Sequence, residues 1–314
     1  MRTKRIYESN AVLDEEERIW WNENAETIEE IWAQNIHFQK IIRLPYLLKM
    51  KFFFNQGDIT RPVKILEIGC GTGWVCRLVA DEKFHVIGTD FSEGQLAIAH
   101  KMAKEFHKEK YCTYELADAS TIQKDIDGVV IHALLHHLST REIGIFFENF
   151  AHLKKGTKVF LYEPVFFDKR NEKPSFRDKV INKLIHMLKN YALNKARKIG
   201  KENKELTLAM NKINTDAELN GWYISPKEIP FAEGELEELL EKNFVINRKY
   251  IVNKTELEIA QALTMNCINK PGLLYSKILI PLSRKLDNLL FKGTFTQYLF
   301  PNQHLFVCFE IIKK

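Results

Sequence analysis

The sequence has no long apolar run. Its longest stretch without a charged residue, Gly293–Phe309, is broken by Gln297, Pro301 and Asn302, whereas a bilayer-spanning helix needs about 20 consecutive apolar residues. The N-terminus carries the acidic run Asp14–Glu17 and no apolar segment of the kind that a secretory signal contains. We therefore expect no transmembrane helix and no secretory signal, and we predict a cytoplasmic protein.

The sequence has only five cysteines and no segment with the composition of a flexible linker. The five cysteines form no C-x-x-C pair, and no histidine lies near them at the spacing of a metal site. The chain contains no internal repeat and no run rich in proline, glycine and serine. With 45% hydrophobic and 28% charged residues in a length of 314, its composition is globular rather than disordered. We expect reduced thiols, no metal site and a sizeable core.

The net charge of +5 is concentrated in one segment. Arg170 to Lys212 contains 12 Lys and Arg against 4 Asp and Glu, so the rest of the chain is weakly acidic. A modest net charge does not by itself imply nucleic-acid binding, and the sequence carries no recognisable RNA-binding module. We therefore expect no nucleic-acid partner.

Short apolar strands alternate with amphipathic helical segments between about Pro62 and Phe167. This alternation is typical of βαβ units, which build a parallel sheet in an α/β protein. Ser92 and Thr140 mark the starts of two of the helices. Near the C-terminus a helix at Gly234–Lys242 precedes two further strands. The predicted strands are Val63–Ile68, His85–Asp90, Cys112–Leu116, Asp127–Ala133, Lys158–Glu163, Phe244–Val252 and His304–Ile311.

A glycine-rich loop follows the first of these strands. Gly69, Gly71 and Gly73 stand at alternate positions before a predicted helix, where glycine permits a tight turn and close approach of a ligand to the backbone. The dinucleotide fingerprint G-x-G-x-x-G is not present, because its sixth position is Trp74. Asp90 ends the second strand, where a carboxylate can accept hydrogen bonds from ribose hydroxyls of either a dinucleotide or an adenosyl ligand.

Four motifs in order decide between these ligands. They are Glu67 to Gly73, Gly88 to Ser92, Ala117 to Ala119, and Asp127 to Leu138, which ends in Leu-His-His-Leu. Together they resemble the class I S-adenosylmethionine-dependent methyltransferases, especially the small-molecule group that includes ubiquinone-type and sterol-type enzymes. The resemblance implies a Rossmann-like, seven-stranded, mostly parallel sheet whose last strand is antiparallel, and S-adenosylmethionine as the cofactor.

The resemblance also implies which residues hold the cofactor. Glu67 and the glycines match residues that hold the methionine end, and Asp90 matches the residue that binds the ribose. Asp118 and Ala119 match the residues that hold the adenine amine and ring. Phe91, the apolar residue after Asp90, could stack on the adenine. His132 and Ala133 match the residues that flank the sulfonium. The implied cofactor site is Glu67, Gly69, Cys70, Gly71, Gly73, Asp90, Phe91, Asp118, Ala119, His132 and Ala133.

Two histidines follow the fourth strand, close to the expected position of the methyl group. His136 and His137 are candidate catalytic bases, since a neutral imidazole can take a hydroxyl or amine proton near neutral pH. The alternative is that one ring braces the loop or helps to form the cofactor site. Tyr162 and Glu163, at the end of the fifth strand, are weaker candidates to face the substrate.

The rest of the chain is interpreted as a cap on one catalytic domain. We divide it into an N-terminal helical cap at 1–61, a cofactor-binding core at 62–166, a basic helical lid at 167–229, and the end of the core sheet at 230–314 with a helical insertion at about 253–302. The segment Ser175–Ile199 has the pattern of a basic amphipathic helix. It is either a lid helix with a solvated basic face or a contact with an anionic membrane.

The sequence therefore predicts methyl transfer from S-adenosylmethionine to a small-molecule or lipid-linked acceptor. Such a transfer is an in-line displacement, in which positioning supplies much of the rate and a base is needed only where the acceptor carries a proton. The acceptor atom, oxygen, nitrogen or carbon, stays open. The alternative function is a non-catalytic adenosyl-binding scaffold whose lid helices bind a partner or a membrane.

Overall fold

The computed structural model describes most of the chain in separate ranges. The described residues are 8, 10–33, 44–55, 61–122, 125–167, 176–199, 202–220, 225–232, 234–251, 268, 278, 281–282 and 303–314. The insertion predicted at about 253–302 therefore lies almost entirely outside the described residues.

The described part of the N-terminal segment consists mainly of helices. Helix α1 (Ala11–Glu23) starts after Asn10, whose side chain accepts hydrogen bonds from two backbone amides of the first turn. Helix α2 (Ala25–Ile28) continues directly into a π-helix, Glu29–Ala33. After a gap in the described residues, helix α3 covers Leu44–Phe54.

One sheet forms the centre of the molecule and has the predicted fold class. Its order is β3-β2-β1-β4-β5-β8-β7, and the two-residue β6 pairs with β5 off this path. All described pairings are parallel except those of β8, which is antiparallel to β5 and β7. The strands are β1 (Val63–Ile68), β2 (Phe84–Asp90), β3 (Cys112–Leu116), β4 (Gly128–His132), β5 (Lys158–Phe167), β6 (Phe231–Ala232), β7 (Phe244–Ile251) and β8 (Gln303–Lys313).

Helices cover both faces of this sheet. Ser92 caps its helix as predicted, and Ser139 forms a capping box with Glu142 at the helix that starts at Thr140. None of the helices in the described ranges is long and apolar enough to cross a membrane. The helices are α4 (Trp74–Val79), α5 (Glu93–Glu105), α6 (Thr140–Phe150), α7 (Phe176–Lys198), α8 (Lys204–Asn220) and α9 (Glu235–Leu240).

The sheet separates two apolar clusters, because successive strand residues point to opposite faces. On β4, Val130 belongs to one cluster, and Val129 and Ile131 to the other. All three are almost fully buried, which explains why the strands read as continuous apolar runs rather than alternating ones.

Two strands are longer than predicted, for a common reason. β5 runs to Phe167 rather than Glu163, and β8 covers Gln303–Lys313 rather than His304–Ile311. The two pair along their full length, from Lys158 opposite Ile312 to Phe167 opposite Gln303. This antiparallel ladder continues past Glu163 through the apolar residues Pro164–Phe167.

Candidate functional site

The glycine loop lies at the carboxyl edge of the parallel strands, where open α/β sheets bind ligands. Gly69, Gly71 and Gly73 all have positive φ, at 67°, 53° and 70°, which side-chain-bearing residues rarely adopt. A Cβ on Gly69 or Gly73 would collide with Leu134 or Tyr114, whereas at Gly71 its nearest neighbour would be Gln95 Oε1 at 3.5 Å. A Cβ at Gly71 would therefore meet no clash, only an ordinary contact with Gln95.

A cavity of about 190 Å³ joins this loop to the histidines after β4. Its wall combines the end of β1, the end of β4, the N-terminal helices and the segment before β6. It brings together eight of the predicted site residues: Glu67, Gly69, Cys70, Gly71, His132, Ala133, His136 and His137. The remaining lining residues are Trp21, Ile28, Thr72, Trp74, Gln95, Tyr162, Pro164 and Glu228.

Glu67 is fully buried and lines this cavity. Its Oε2 accepts a hydrogen bond from Cys76 Sγ at 2.9 Å. Burial raises the pKa of Glu67 to about 8, because an apolar surrounding disfavours the charged carboxylate. The side chain is therefore mostly protonated at neutral pH until a cationic group approaches it.

Cys70 is a buried thiol rather than a reactive one. It is 2% exposed, and burial raises its pKa to about 11, which keeps it protonated and unreactive. Cys70, Cys76, Cys112 and Cys308 are all free and buried, while Cys267 lies outside the described residues.

Asp90 organises the loop from the end of β2. Its Oδ2 accepts from Gly71 N at 2.8 Å and its Oδ1 from Ser92 N at 2.9 Å. Burial raises the pKa of Asp90, although these backbone hydrogen bonds oppose the shift. The adjacent Phe91 is 39% exposed. Asp90 does not line the cavity but lies directly beside it.

The predicted adenine residues follow at the neighbouring strand end. Ala117 N donates to Asp90 O at 3.0 Å, which places the end of β3 beside the end of β2. Asp118 Oδ1 accepts from Ser120 N at 2.8 Å. Ala119 packs against the apolar cluster that contains Val129 and Ile131. These two residues therefore share an edge with Asp90 but do not line the cavity.

The motifs gave no indication of Gln95, which the structure places at the cavity. It is 1% exposed, and its Oε1 has no hydrogen-bond partner among the described residues. Its Nε2 donates to Trp21 O at 3.0 Å. The side-chain amide of Gln95 thus connects helix α1 to the cavity beside Gly71.

The end of β4 is built around stacked rings. His132 lies parallel to Tyr162, with ring centroids 4.5 Å apart, and meets Trp74 edge-on at 4.9 Å. Ala133 adopts a φ of 55°, which is uncommon for a residue with a side chain and is often found at functional sites. Its amide donates to Tyr162 O at 2.7 Å.

His136 is held between two carboxylates. Its Nδ1 is 2.8 Å from Glu163 Oε2 and its Nε2 is 3.6 Å from Glu228 Oε1. Burial alone would lower the pKa of His136, but the hydrogen bonds to Glu163 and Glu228 outweigh it and raise the pKa to about 9. Glu163 also accepts from the amides of Leu134 and Leu135, at 2.8 and 2.7 Å. Glu163 thus fixes the loop rather than facing substrate.

His137 has a different environment. Its Nδ1 is 2.9 Å from Glu17 Oε1 on helix α1. Glu17 also accepts from Trp21 Nε1 at 2.8 Å and from Lys227 N at 2.9 Å. Burial alone would raise the pKa of Glu17, but the bonds from His137 and Trp21 outweigh it and lower the pKa. Glu17 is therefore a carboxylate, which Nδ1–H of His137 faces.

Comparison with known proteins identifies the core. A family model described as a methyltransferase domain matches residues 65–156. Residues 65–156 are a methyltransferase domain. The methyltransferase resemblance read from the motifs is confirmed for these residues, which form the core of an S-adenosylmethionine-dependent methyltransferase. No curated protein matches the methyltransferase in sequence.

Solved structures share the methyltransferase's fold at low sequence identity. The cyclase SpnF has 12% identity and a TM-score of 0.55 over 99% of both chains. Geranyl diphosphate C-methyltransferase from Streptomyces coelicolor has 12% identity and a TM-score of 0.53 over 98% of this chain and 100% of that one. Phosphoethanolamine N-methyltransferase 2 from Haemonchus contortus has 16% identity and a TM-score of 0.53 over 93% and 57%. At these identities the likeness shows the fold alone.

Proposed function

We propose that the methyltransferase methylates a hydroxyl or amine of an apolar or lipid-linked small molecule, with His137 as the base. The observation that carries the proposal is the single cavity that contains both the glycine loop and His137. A cofactor bound along the loop and an acceptor in contact with His137 would therefore meet in one cavity.

The residues of this cavity fit S-adenosylmethionine. Gly71 lines the cavity without a side chain of its own, and Gln95 offers a ligand there a buried oxygen without a described partner. Glu67, whose pKa of about 8 keeps it mostly protonated at neutral pH, would ionise beside the cationic amino group of the methionine end and pair with it. When bound, S-adenosylmethionine supplies a methyl group on a positively charged sulfur that leaves as a neutral thioether.

Each implied cofactor residue keeps its proposed role. Glu67, Gly69, Cys70, Gly71 and Gly73 hold the methionine end, and Asp90 with Gln95 accepts hydrogen bonds from ribose hydroxyls. Phe91, Asp118 and Ala119 form the adenine side, which their position at the ends of β2 and β3 supports. His132 and Ala133 flank the sulfur.

His137 is the better candidate base of the two histidines. Because Glu17 holds Nδ1–H, the neutral ring presents Nε2 as a proton acceptor. As the acceptor oxygen or nitrogen gains the methyl group, its proton passes to Nε2 of His137. His136 serves instead as a buried cation between Glu163 and Glu228, since a group with a pKa of about 9 holds its proton at neutral pH.

The walls of the cavity favour an apolar acceptor. Trp21 and Ile28 come from the N-terminal segment, and Tyr162 and Pro164 from β5. Because two of these four residues precede the core, we propose that residues 1–61 act as a cap that closes the site. The segment at 225–228 contributes Glu228 and holds Glu17 through Lys227, which supports the same role for the lid at 167–229.

The experiment is a methyl-transfer assay on unidentified acceptors. The full chain is incubated with S-adenosylmethionine carrying a radioactive methyl group and with separate lipid and polar fractions of a cell extract. We expect label in products of the lipid fraction and formation of S-adenosylhomocysteine. His137→Ala should lower this rate by about 100-fold or more, whereas exposed His152→Ala should leave it unchanged.

Two outcomes would overturn the proposal. Binding of S-adenosylmethionine without label in any fraction would favour the non-catalytic scaffold. Full turnover by His137→Ala would show that the transfer needs no base at this position.

A further inference from the structure

Helix α7 carries an apolar stripe that the core does not use. Leu184, Met187 and Tyr191 are 40%, 59% and 49% exposed. Their spacing of three and four residues puts them on one face of the helix. Exposed apolar side chains grouped in this way mark an interaction surface more often than isolated ones do.

The opposite side of the same helix is already packed. Ala192 and Ala196 are fully buried in the apolar cluster on one face of the sheet, and Leu188 and Leu193 are partly buried against it. Because the inner side holds the helix in place, the exposed stripe is not needed for folding of the core.

Cations accompany the stripe. Helix α7 contains seven Lys and Arg against a single Asp. Lys183 is four residues before Met187, and Lys195 is four residues after Tyr191, so both lie next to the stripe, as does Lys198 one turn further on. All three are exposed. We call the stripe and these cations the outer face: Leu184, Met187, Tyr191, Lys183, Lys195 and Lys198.

A second helix on the same side of the sheet shows similar exposure. Leu48 and Phe52 of α3 are 62% and 64% exposed at a spacing of four residues. The inner residues of α3, Met50 and Phe53, belong to the same apolar cluster as Ala192. Both helices therefore cover one face of the sheet and present apolar side chains outward from it.

We propose that the outer face of α7 docks on an anionic membrane surface. Apolar side chains would enter the boundary between headgroups and acyl chains while the lysines contact the anionic headgroups. A second copy of the chain fits this face poorly, because its lysines would meet the same lysines. The helix lies on the bilayer rather than across it, consistent with the lack of a membrane-crossing helix among the described ranges.

The docking deepens the proposed function but is separable from it. A membrane-bound enzyme would receive a lipid-linked acceptor from the bilayer, and that consequence rests on the proposed function. Vesicle binding itself needs neither cofactor nor acceptor. A chain that fails to bind vesicles can therefore be distinguished from one that fails to transfer methyl groups, because the two are measured in different assays.

Flotation of the full chain with lipid vesicles tests the docking. Vesicles of phosphatidylcholine alone are compared with vesicles that also contain phosphatidylglycerol, at low and high salt. We expect on the order of 100-fold tighter binding to the anionic vesicles, from three lysines near the surface, and weaker binding at high salt.

Three variants assign the binding to the outer face. The first combines Leu184→Ser, Met187→Ser and Tyr191→Ser, and the second combines Lys183→Gln, Lys195→Gln and Lys198→Gln. Each should weaken binding by about tenfold or more. The control combines Leu208→Ser and Leu219→Ser on α8, which are also exposed, and should bind like the parent chain. All three should bind S-adenosylhomocysteine normally, which shows that they are folded.

The proposal is overturned if the parent chain does not bind anionic vesicles, or if both outer-face variants bind as well as the control. It is also overturned if light scattering shows a dimer that the outer-face variants dissociate, since the face would then join two copies of the chain.

Discussion

Glu17 Oε1 lies 2.9 Å from Nδ1 of His137, which joins the first helix of the chain to the loop after β4. The carboxylate is 2% exposed and the pair is shielded from solvent. A buried carboxylate in this position fixes the ring and its tautomer and would stabilise the imidazolium that forms when Nε2 takes a proton. The N-terminal helix would then contribute to catalysis as well as covering the site.

Glu17→Gln should therefore impair turnover without impairing cofactor binding. The amide keeps the size of the side chain but removes the charge that faces Nδ1–H. We expect kcat to fall by about tenfold or more and the pH dependence of kcat to differ from that of the parent chain. The calorimetric affinity for S-adenosylhomocysteine should be unchanged. Exposed Glu16→Gln on the same helix is the matched control. If the two variants have the same kcat, Glu17 does not act on turnover through His137.

Binding of S-adenosylmethionine at pH 7 should release a proton from Glu67. Its pKa of about 8 means that the carboxyl is mostly protonated in the free protein. A cationic amino group beside it favours the carboxylate and lowers the pKa, so the proton leaves on binding. Above about pH 9 the free carboxyl is already ionised and the release should vanish.

Calorimetry in two buffers of different ionisation enthalpy measures this release directly. The expected value at pH 7 is a large fraction of one proton, and Glu67→Gln should bind more weakly with none. A heat of binding that is independent of the buffer would mean that the amino group does not approach Glu67.

Two glycine substitutions should have opposite effects on stability, and only one of them should weaken cofactor binding. Gly71→Ala places a Cβ where the chain has φ of 53° and where we propose that the cofactor lies. It should cost about 1–2 kcal/mol in stability and weaken cofactor binding by at least tenfold. Gly144→Ala, inside helix α6 with nothing near its Cβ, should raise stability by about 0.5–1 kcal/mol without changing affinity. Equal cofactor affinity for both variants would contradict the proposed position of the cofactor.

A buried ion pair anchors the N-terminal segment to the glycine loop. Arg77 is 2.5 Å from Glu29 of the π-helix and also donates to Thr72 O in the loop. Arg77→Met should lower the free energy of unfolding by about 3–5 kcal/mol, because Glu29 would remain buried without its partner. Denaturant titration measures the loss, and Arg18→Met, which breaks an exposed pair with Glu15, should cost less than about 1 kcal/mol. Similar losses for the two variants would show that the buried pair anchors nothing.

The core and the glycine loop were predictable because their signals are local in sequence. A strand, three alternate glycines and a helix start lie within Val63 to Trp74, and Asp90 ends the next strand. The parallel order of the sheet followed from the same alternation. The short β6 was missed, since two residues carry no periodic pattern.

The residues that distinguish the two histidines could not be predicted from their motif. Glu17 and Glu228 reach the site from segments far away in sequence, and nothing local marks them as partners of His137 and His136. The opposite environments of these adjacent rings are set by tertiary packing. Gln95 gives no signal either, because a polar residue in the first turn of a helix is ordinarily solvated.

The decisive measurement is a calorimetric titration of S-adenosylhomocysteine into the parent chain, His137→Ala and Gln95→Leu. We predict binding to the parent chain and equal affinity for His137→Ala, because that ring serves the acceptor. Gln95→Leu should bind about tenfold more weakly, because it loses the buried acceptor beside Gly71. No binding to the parent chain, or unchanged affinity in Gln95→Leu, would contradict the proposed placement of the cofactor in this cavity.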